Sequence, residues 1–339
     1  MEIRVVPLDV TDDAAVERSY EIVAASDATD MPDLPPLCRQ GFIAGLRHPM
    51  PGNQPWHGQA LLDGMTVGHI SVELPTIENT DNAGFELRVH PNHRRQGVGR
   101  ALYEHARRLV LARGRKRIVG SVVAGLPGGP AWSEAGSTFA AAMGAKAVLT
   151  EVRRRLDVTA VDQPALDRVL AEARRKAEGY SLVQWAGMTP DAYLDDVAYL
   201  DGRLLQDAPM GDLEWEPSKV DANRIQAAEQ VLALRGIRHY HSGMRHDASG
   251  RLVAWSLLNF AATSPWHAYQ QITIVDPAHR GHRLGAIVKI ENLRYALDAE
   301  PELSVVDTWN AAANDHMISI NEAMGFRPVD NWTNWQQAL

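Results

Sequence analysis

Apolar and polar positions along this chain form short alternating runs and longer helical stripes, in an order that occurs twice. The first series opens with a strand from Ile3 to Val6 and a helical stripe from about Thr11 to Ala25. A Pro-rich acidic loop, "SDATDMPDLPP", follows. "WHGQALL", the turn Asp63-Gly64 and "TVGHISVEL" predict a hairpin, because alternation on both sides of an Asp-Gly pair suits a tight turn. "AGFELRV" predicts a further strand that runs into "HPNHRRQGVG". "RALYEHARRLVLARG" has helical spacing and stops at Gly114. A buried strand ("KRIVGSVVAG"), a short helix ("WSEAGSTFAAAMGA") and a closing strand ("KAVLTEVRRRLDV") complete the series.

The second series keeps this order. "YSLVQWAG" predicts a strand, "TPDAYLDDVAYLDGRLL" a helix, and "QDAPMGDLEWEP" is again an acidic loop containing Pro. A hairpin spans "GIRHYHSGMRHDASGRLVAWSLLNF", with its turn near Asp247 to Gly250. "YQQITIV" feeds "DPAHRGHRLG", and the helix "LGAIVKIENLRYAL" follows. The strand "ELSVVDTWN", the helix "NDHMISINEAMGF" and "NWTNWQQAL" end the chain. Self-similarity on this scale implies duplication of one domain. The pattern predicts an N-terminal domain over residues 1–158, a charged linker helix over 159–179 and a C-terminal domain over 180–339.

Composition narrows the function classes. Hydrophobic residues make up 45% and charged residues 22% of 339, a balance with material for real cores. A net charge of -8 disfavours general nucleic-acid binding. The run "RRLVLARGRKR" mixes charge with helical apolar spacing and is expected to be a solvated helix end. The single cysteine, Cys38, excludes an intrachain disulfide framework and a Cys-rich zinc site, and fits a cytoplasmic protein. No stretch approaches the roughly 18 apolar residues of a membrane span, and no basic segment followed by an apolar run opens the chain.

The repeated chemistry lies after each Val-x-Pro, at Val89-His90-Pro91 and Val275-Asp276-Pro277. A strand enters a basic, glycine-bearing turn, and a helix begins. Backbone amides then converge at the positive end of a helix dipole, which suits a phosphate or pyrophosphate. Arg94, Arg95 and Arg100, or Arg280 and Arg283, are positioned in sequence to add charge. Neither copy has the G-x-x-x-x-G-K-S/T of a P-loop. In a dinucleotide fingerprint, Gly97-Val98-Gly99 would need Gly or Ala where Leu102 stands. The pattern Q/R-x-x-G-x-G/A of an acetyl-coenzyme A loop matches Arg94-Arg95-Gln96-Gly97-Val98-Gly99 fully. Arg280-Gly281-His282-Arg283-Leu284-Gly285 matches it except where Arg283 replaces the first glycine. Such a loop can also serve only as a tight helix start.

With "HRGHRLG", "TWNAAANDHMISINEAMGF" and "FAAAMGA" in the expected order, the chain resembles a tandem GCN5-related N-acetyltransferase (GNAT) of actinobacterial type over nearly its whole length. The resemblance implies an α/β (α+β) fold of two domains, each a mixed, mostly antiparallel splayed sheet flanked by helices. It implies acetyl-CoA as cofactor, no metal, and direct transfer to the amine of a small molecule by a monomer or homodimer. It assigns pantetheine to the backbone of Leu87, Arg88 and Val89, and of Thr273, Ile274 and Val275. The pyrophosphate would meet the amides of Arg94, Arg95, Gln96, Gly97, Val98, Gly99 and Arg100. In the second copy it would meet those of Arg280, Gly281, His282, Arg283, Leu284, Gly285 and Ala286. Asn310, Asn314, Met317 and Asn321 would also reach the cofactor; capping and polar helix surface are the other reading of these residues.

The reaction needs an amide to stabilise an oxyanion and a base for the amine proton. Glu86, three residues before Val89, is the candidate base, and the matching Ile272 cannot titrate. His69 and His90 are further possibilities. Relatives often supply an acid from a tyrosine at positions occupied here by Ala140 and Asn321, so both copies depart from the family pattern. A non-catalytic acyl-CoA-binding or regulatory protein is therefore the alternative. The acidic loops are expected either to hold a cationic amine or to act as turns and caps.

Overall fold

The computed structural model describes residues 2–128 and 132–339. The first series of elements is β1 (Ile3–Pro7), α1 (Asp13–Asp30), α2 (Arg39–Arg47), β2 (Trp56–Leu62), β3 (Met65–Glu73), β4 (Asn82–Val89), α3 (Val98–Ala112), β5 (Arg117–Gly125), α4 (Ala135–Ala142) and β6 (Lys146–Asp157). The second is α5 (Gln163–Arg174), β7 (Tyr180–Ala186), α6 (Leu194–Asp207), α7 (Ala222–Leu234), β8 (Arg238–His246), β9 (Leu252–Phe260), β10 (His267–Val275), α8 (Leu284–Ala299), β11 (Val305–Ala311), α9 (Asp315–Met324) and β12 (Arg327–Ala338). The architecture is the expected mixed, mostly antiparallel sheet flanked by helices. No helix among the described residues is long and apolar enough to cross a membrane. No group of three or more potential metal ligands occurs among them.

The described residues fall into two compact units. Unit 1 comprises residues 2–150, 211–216 and 332–339. Unit 2 comprises residues 151–210 and 217–331. Strand β6 thus starts in unit 1 and ends in unit 2, and β12 does the reverse.

In unit 1 the strand order is β1-β2-β3-β4-β5, then the 332–338 part of β12, then the 146–150 part of β6. Pairs β1/β2, β2/β3 and β3/β4 are antiparallel, and β4/β5 is parallel. Helix α3 buries Val98, Leu102, Tyr103, Ala106 and Val110 and exposes Arg100 and Arg108. That spacing follows from 3.6 residues per turn. Its apolar face joins Ile70, Val72 and Ile118 in one core. The segment 211–216 is fastened to this unit by polar contacts: Asn79 Nδ2 donates to the Glu216 carbonyl at 2.9 Å, and Asn82 Nδ2 to that of Glu214 at 2.8 Å.

In unit 2 the order is the 327–331 part of β12, the 151–157 part of β6, then β11-β10-β9-β8-β7. Pair β10/β11 is parallel, while β6/β11, β9/β10, β8/β9 and β7/β8 are antiparallel. Helix α8 is buried almost continuously from Leu284 to Leu293. One side packs on β8, β9 and β10, and α5 covers another. Leu166, Leu170 and Ala173, one stripe of α5, share a core with Ile287, Val288 and Ile290. The charged segment read as a linker therefore carries an apolar stripe that is used within unit 2.

Candidate active site

Each unit has an opening where its parallel strand pair comes apart. Strands β4 and β5 pair over Asn82–Gly84 with Arg117–Val119 and no further, although β4 runs on to Val89. Strands β10 and β11 pair over His267–Tyr269 with Val305–Asp307, although β10 runs on to Val275. Backbone amides alternate direction along a strand. The His90 amide bonds to Val67 of β3, so Leu87 and Val89 turn their amides the other way, into the opening. By the same alternation the Asp276 amide meets Val253 of β9, and those of Thr273 and Val275 face the opening. Arg88 and Ile274 point their backbone groups at the neighbouring strand instead.

At the mouth of each opening lies a basic loop with two left-handed residues. In unit 1 these are Arg95 (φ +63°) and Gly97 (φ +87°), and in unit 2 Gly281 (φ +88°) and Arg283 (φ +58°). The copies therefore share one backbone path and exchange which of the two positions carries glycine. Arg283 does not narrow the loop; it holds the conformation Gly97 holds, at the steric cost of a Cβ in this region. Among the described residues the amides at 95–100 and 281–285 have no intrachain acceptor, and the bonds resume with Ala101 to Gly97 and Ala286 to Arg283. A Cβ on Gly97 would meet only Ile3, at 3.5 Å, and one on Gly281 nothing within 4 Å. Gly99 and Gly285 lie against strand and helix, 3.5 Å from Phe139 and 3.4 Å from Val275 for an added Cβ. Free converging amides and open space in front of them fit the pyrophosphate of an acyl-CoA.

The loop arginines divide into two kinds. Arg94 sends Nη1 and Nη2 to both oxygens of Asp30 at 2.8 Å and Nε to the Val89 carbonyl at 3.2 Å. Arg280 binds Asp207 at 2.8 Å. Each first arginine thus clamps its loop to the last turn of α1 or α6, and its charge is already partnered. Arg95 and Arg100 are exposed. Arg283 is exposed too, with Glu172 at 3.9 Å. His282 Nδ1 lies 2.9 Å from the Lys176 carbonyl. Gln96 is half-buried, and Val98, Leu284 and Ala286 are buried helix-start residues.

The acidic segments do the same work. Asp27 and Asp30 belong to α1, which is longer than the apolar stripe suggests, and Asp27 holds Arg88 at 2.6 Å. Burial works against the Arg88 charge, but Asp27 and Glu86 outweigh it and hold the guanidinium more firmly protonated. Glu214 carries Arg117 and Gln336. Asp27, Asp30, Asp207 and Glu214 of these segments are thus engaged by arginines.

Among the unit 2 asparagines, Asn314 caps α9, accepting from the Met317 amide at 3.3 Å. Asn321 Nδ2 donates to Asn310 Oδ1 at 2.6 Å, and Asn321 Oδ1 accepts from Lys289 Nζ. Lys289 is 1% exposed, and burial pulls its ammonium down to about 7. The matching residue in unit 1 is Tyr103, each lying six positions beyond the left-handed residue that starts its helix. The Tyr103 hydroxyl donates to Gln337 Oε1, and Gln337 Nε2 to the Met143 carbonyl. Sequence reasoning missed both residues; the repeat alignment itself was the available signal.

Glu86 is exposed on β4. The strand registers set His57, Ser71 and Glu86 in one row on the same face, with Gln59, His69 and Arg88 in the next. His69 is buried beside His57, their ring centroids 6.2 Å apart. Among the described residues neither ring nitrogen of His57 has a hydrogen-bond partner. Burial lowers His57 to about 4 and His69 to about 3, so both are neutral at pH 7. His90 accepts from the Asn92 amide at the loop.

Each of the two openings ends at a loop of unpaired helix-start amides suited to an anion, the arrangement of a group transferase that holds a phosphate-bearing donor. A family model for the acetyltransferase (GNAT) family matches residues 27–125. A solved tandem GNAT protein from the clavulanic acid biosynthesis pathway, determined without AcCoA, is similar at 34% identity and a TM-score of 0.84, covering 99% of this chain and 98% of that one. The mycothiol acetyltransferase of Salinispora arenicola is 26% identical over 291 residues, 81% of this chain and 79% of the relative. A GCN5-related N-acetyltransferase from Sphaerobacter thermophilus shares the fold, with a TM-score of 0.64 at 13% identity over 99% of this chain and 95% of that one. The chain belongs to the GNAT family and is an N-acetyltransferase of tandem organisation.

Proposed function

We propose that the protein transfers the acetyl group of acetyl-CoA to the amine of a small molecule. One observation carries the reading: in both units, outward-facing strand amides lead to a loop of unpaired amides at a helix start. Bound acetyl-CoA supplies a thioester carbonyl as the electrophile. The amides at 95–100 and 281–285 would hold its pyrophosphate, and those of Leu87 and Val89, or Thr273 and Val275, its pantetheine arm. An amide preorganised on a strand stabilises negative charge developing on the thioester carbonyl oxygen without reorganising. In unit 1 the exposed carboxylate of Glu86 is suited to accept the proton of the incoming amine. Unit 2 has Ile272 there and lacks that base. Unit 1 is therefore the better candidate for turnover on the base criterion. The relatives named mycothiol acetyltransferase support a small-molecule acceptor.

Calorimetric titration with acetyl-CoA tests the reading. Two sites per chain are expected, reduced to one by disrupting either loop, and an amine screen should then release CoA. Absence of binding at both loops overturns it. Tight binding without turnover over a broad screen would favour a regulatory acyl-CoA-binding role.

A further inference from the structure

Lys289 is a charged side chain in the wrong place for a structural residue. It lies on α8, six residues beyond Arg283 at the start of that helix, and is 1% exposed. Among the described residues its hydrogen-bond partner is Asn321, and its ammonium lies 5.0 Å from the Phe326 ring centroid. Burial is the one influence on its protonation, with no carboxylate offsetting it. A buried lysine without an acidic partner is costly, and an apolar side chain of similar shape would be cheaper.

What that ammonium touches gives it a use. Helix α8 packs on the β10 side of the opening. Asn321, on α9, hydrogen-bonds Asn310 on the β11 side. The Lys289–Asn321 contact therefore joins the two sides where β10 and β11 have separated. It also fixes the amide orientation. The ammonium form of Nζ has donors and no acceptor, so in that form Asn321 presents Oδ1 to it and Nδ2 to Asn310, the arrangement observed. Asn310 then accepts with Oδ1 and keeps its Nδ2 donors free of this chain of contacts. Asn310 is half-exposed, at the end of the run. In unit 1 the neutral Tyr103 stands at the matching position and serves Gln337.

We propose that Lys289 is a positioning residue of the unit 2 site: through Asn321 it orients Asn310 toward the acyl-CoA held between β10 and β11, and it ties α8 to α9 across that opening. This rests on the acyl-CoA reading above. It gives the departure at Asn321 a purpose. Where relatives place a tyrosine, this chain places an amide governed by a buried cation.

The test isolates unit 2 by disrupting the unit 1 loop with Gly97→Trp, then titrates acetyl-CoA. Lys289→Met should leave the melting temperature unchanged or raised, because it removes a desolvated charge. Affinity should nevertheless fall by about tenfold or more, the usual consequence of losing a charged hydrogen bond that orders a site. Lys289→Gln, which retains a donor for Asn321 Oδ1, should recover most of it. Asn310→Ala, at the half-exposed end of the run, should reproduce the loss without touching the core. Hydrogen exchange of the Asn321 side-chain amide should quicken in Lys289→Met with no ligand present. Affinity equal to that of the parent in Lys289→Met or in Asn310→Ala, or unchanged exchange, overturns the positioning role and leaves the acyl-CoA reading standing. No binding to unit 2 in the parent protein overturns both.

Discussion

Arg153 and Asp307 meet at 2.9 Å inside unit 2 with neither side chain exposed. Arg153 comes from β6, at the end of the first repeat, and also binds Asp330 of β12. Burial acts to raise the Asp307 carboxyl. Hydrogen bonds from Arg155 and His267 and the charge of Arg153 outweigh it and hold that carboxyl well below the usual range. The second unit thus has an ionic core keyed by a residue from the first repeat.

Arg153→Met should destabilise unit 2 by about 3–5 kcal/mol, because it leaves buried carboxylates without their main partner. Chemical denaturation followed by tryptophan fluorescence would measure it. A loss of under about 1 kcal/mol would mean that Arg155 and His267 suffice.

The two left-handed positions make opposite predictions for glycine. Gly97→Ala and Gly281→Ala should each cost about 1–2 kcal/mol. Arg283→Gly should be neutral or stabilising by up to about 1 kcal/mol, since it removes a strained Cβ. Melting curves of the three variants decide it; a marked loss for Arg283→Gly would show that its side chain holds the loop.

His57 and His69 set an acid limit for unit 1. Their folded pKa values, about 4 and about 3, lie below the unfolded value near 6.5. The unfolded chain therefore binds more protons between those values, and stability is lost as pH falls from 6.5 toward 4. The loss should be roughly 2 kcal/mol per histidine between pH 7 and 5. Denaturation at both pH values, repeated in His69→Gln, should show the pH difference shrink in the variant.

Glu86→Gln should lower the turnover number by roughly 10²–10⁴-fold while leaving acetyl-CoA affinity unchanged. Steady-state kinetics across pH, paired with calorimetry, separates the two effects. Unchanged kinetics would remove Glu86 as base and direct attention to His57 in the same row.

Periodicity located most strands and the helices that follow the loops, because each buries one face and writes that face into its spacing. It stopped α1 at Ala25, whereas the helix continues to Asp30. The last turn is polar, and Arg88 and Arg94 hold it from distant positions. Helices α2 and α7, which hold the same place between first helix and hairpin in the two series, are absent from the sequence reading. Nothing in the sequence around Lys289 marks it as buried. Its burial arises only once α8 is covered by the sheet on one side and by α5 on another.

The sequence by itself determined the duplication, the family and the loop that recurs after each Val-x-Pro. These are local patterns, and local geometry is enough to make a helix-start anion site. Tertiary structure decided what the sequence left open. It showed that Arg283 replaces glycine without altering the backbone path, because Gly281 and Arg95 are the reciprocal left-handed residues. It bound Arg94 and Arg280 to Asp30 and Asp207, and it assigned the last residues of the chain, 332–339, to the first unit. Each of these depends on residues far apart in the chain, which spacing within one segment cannot encode.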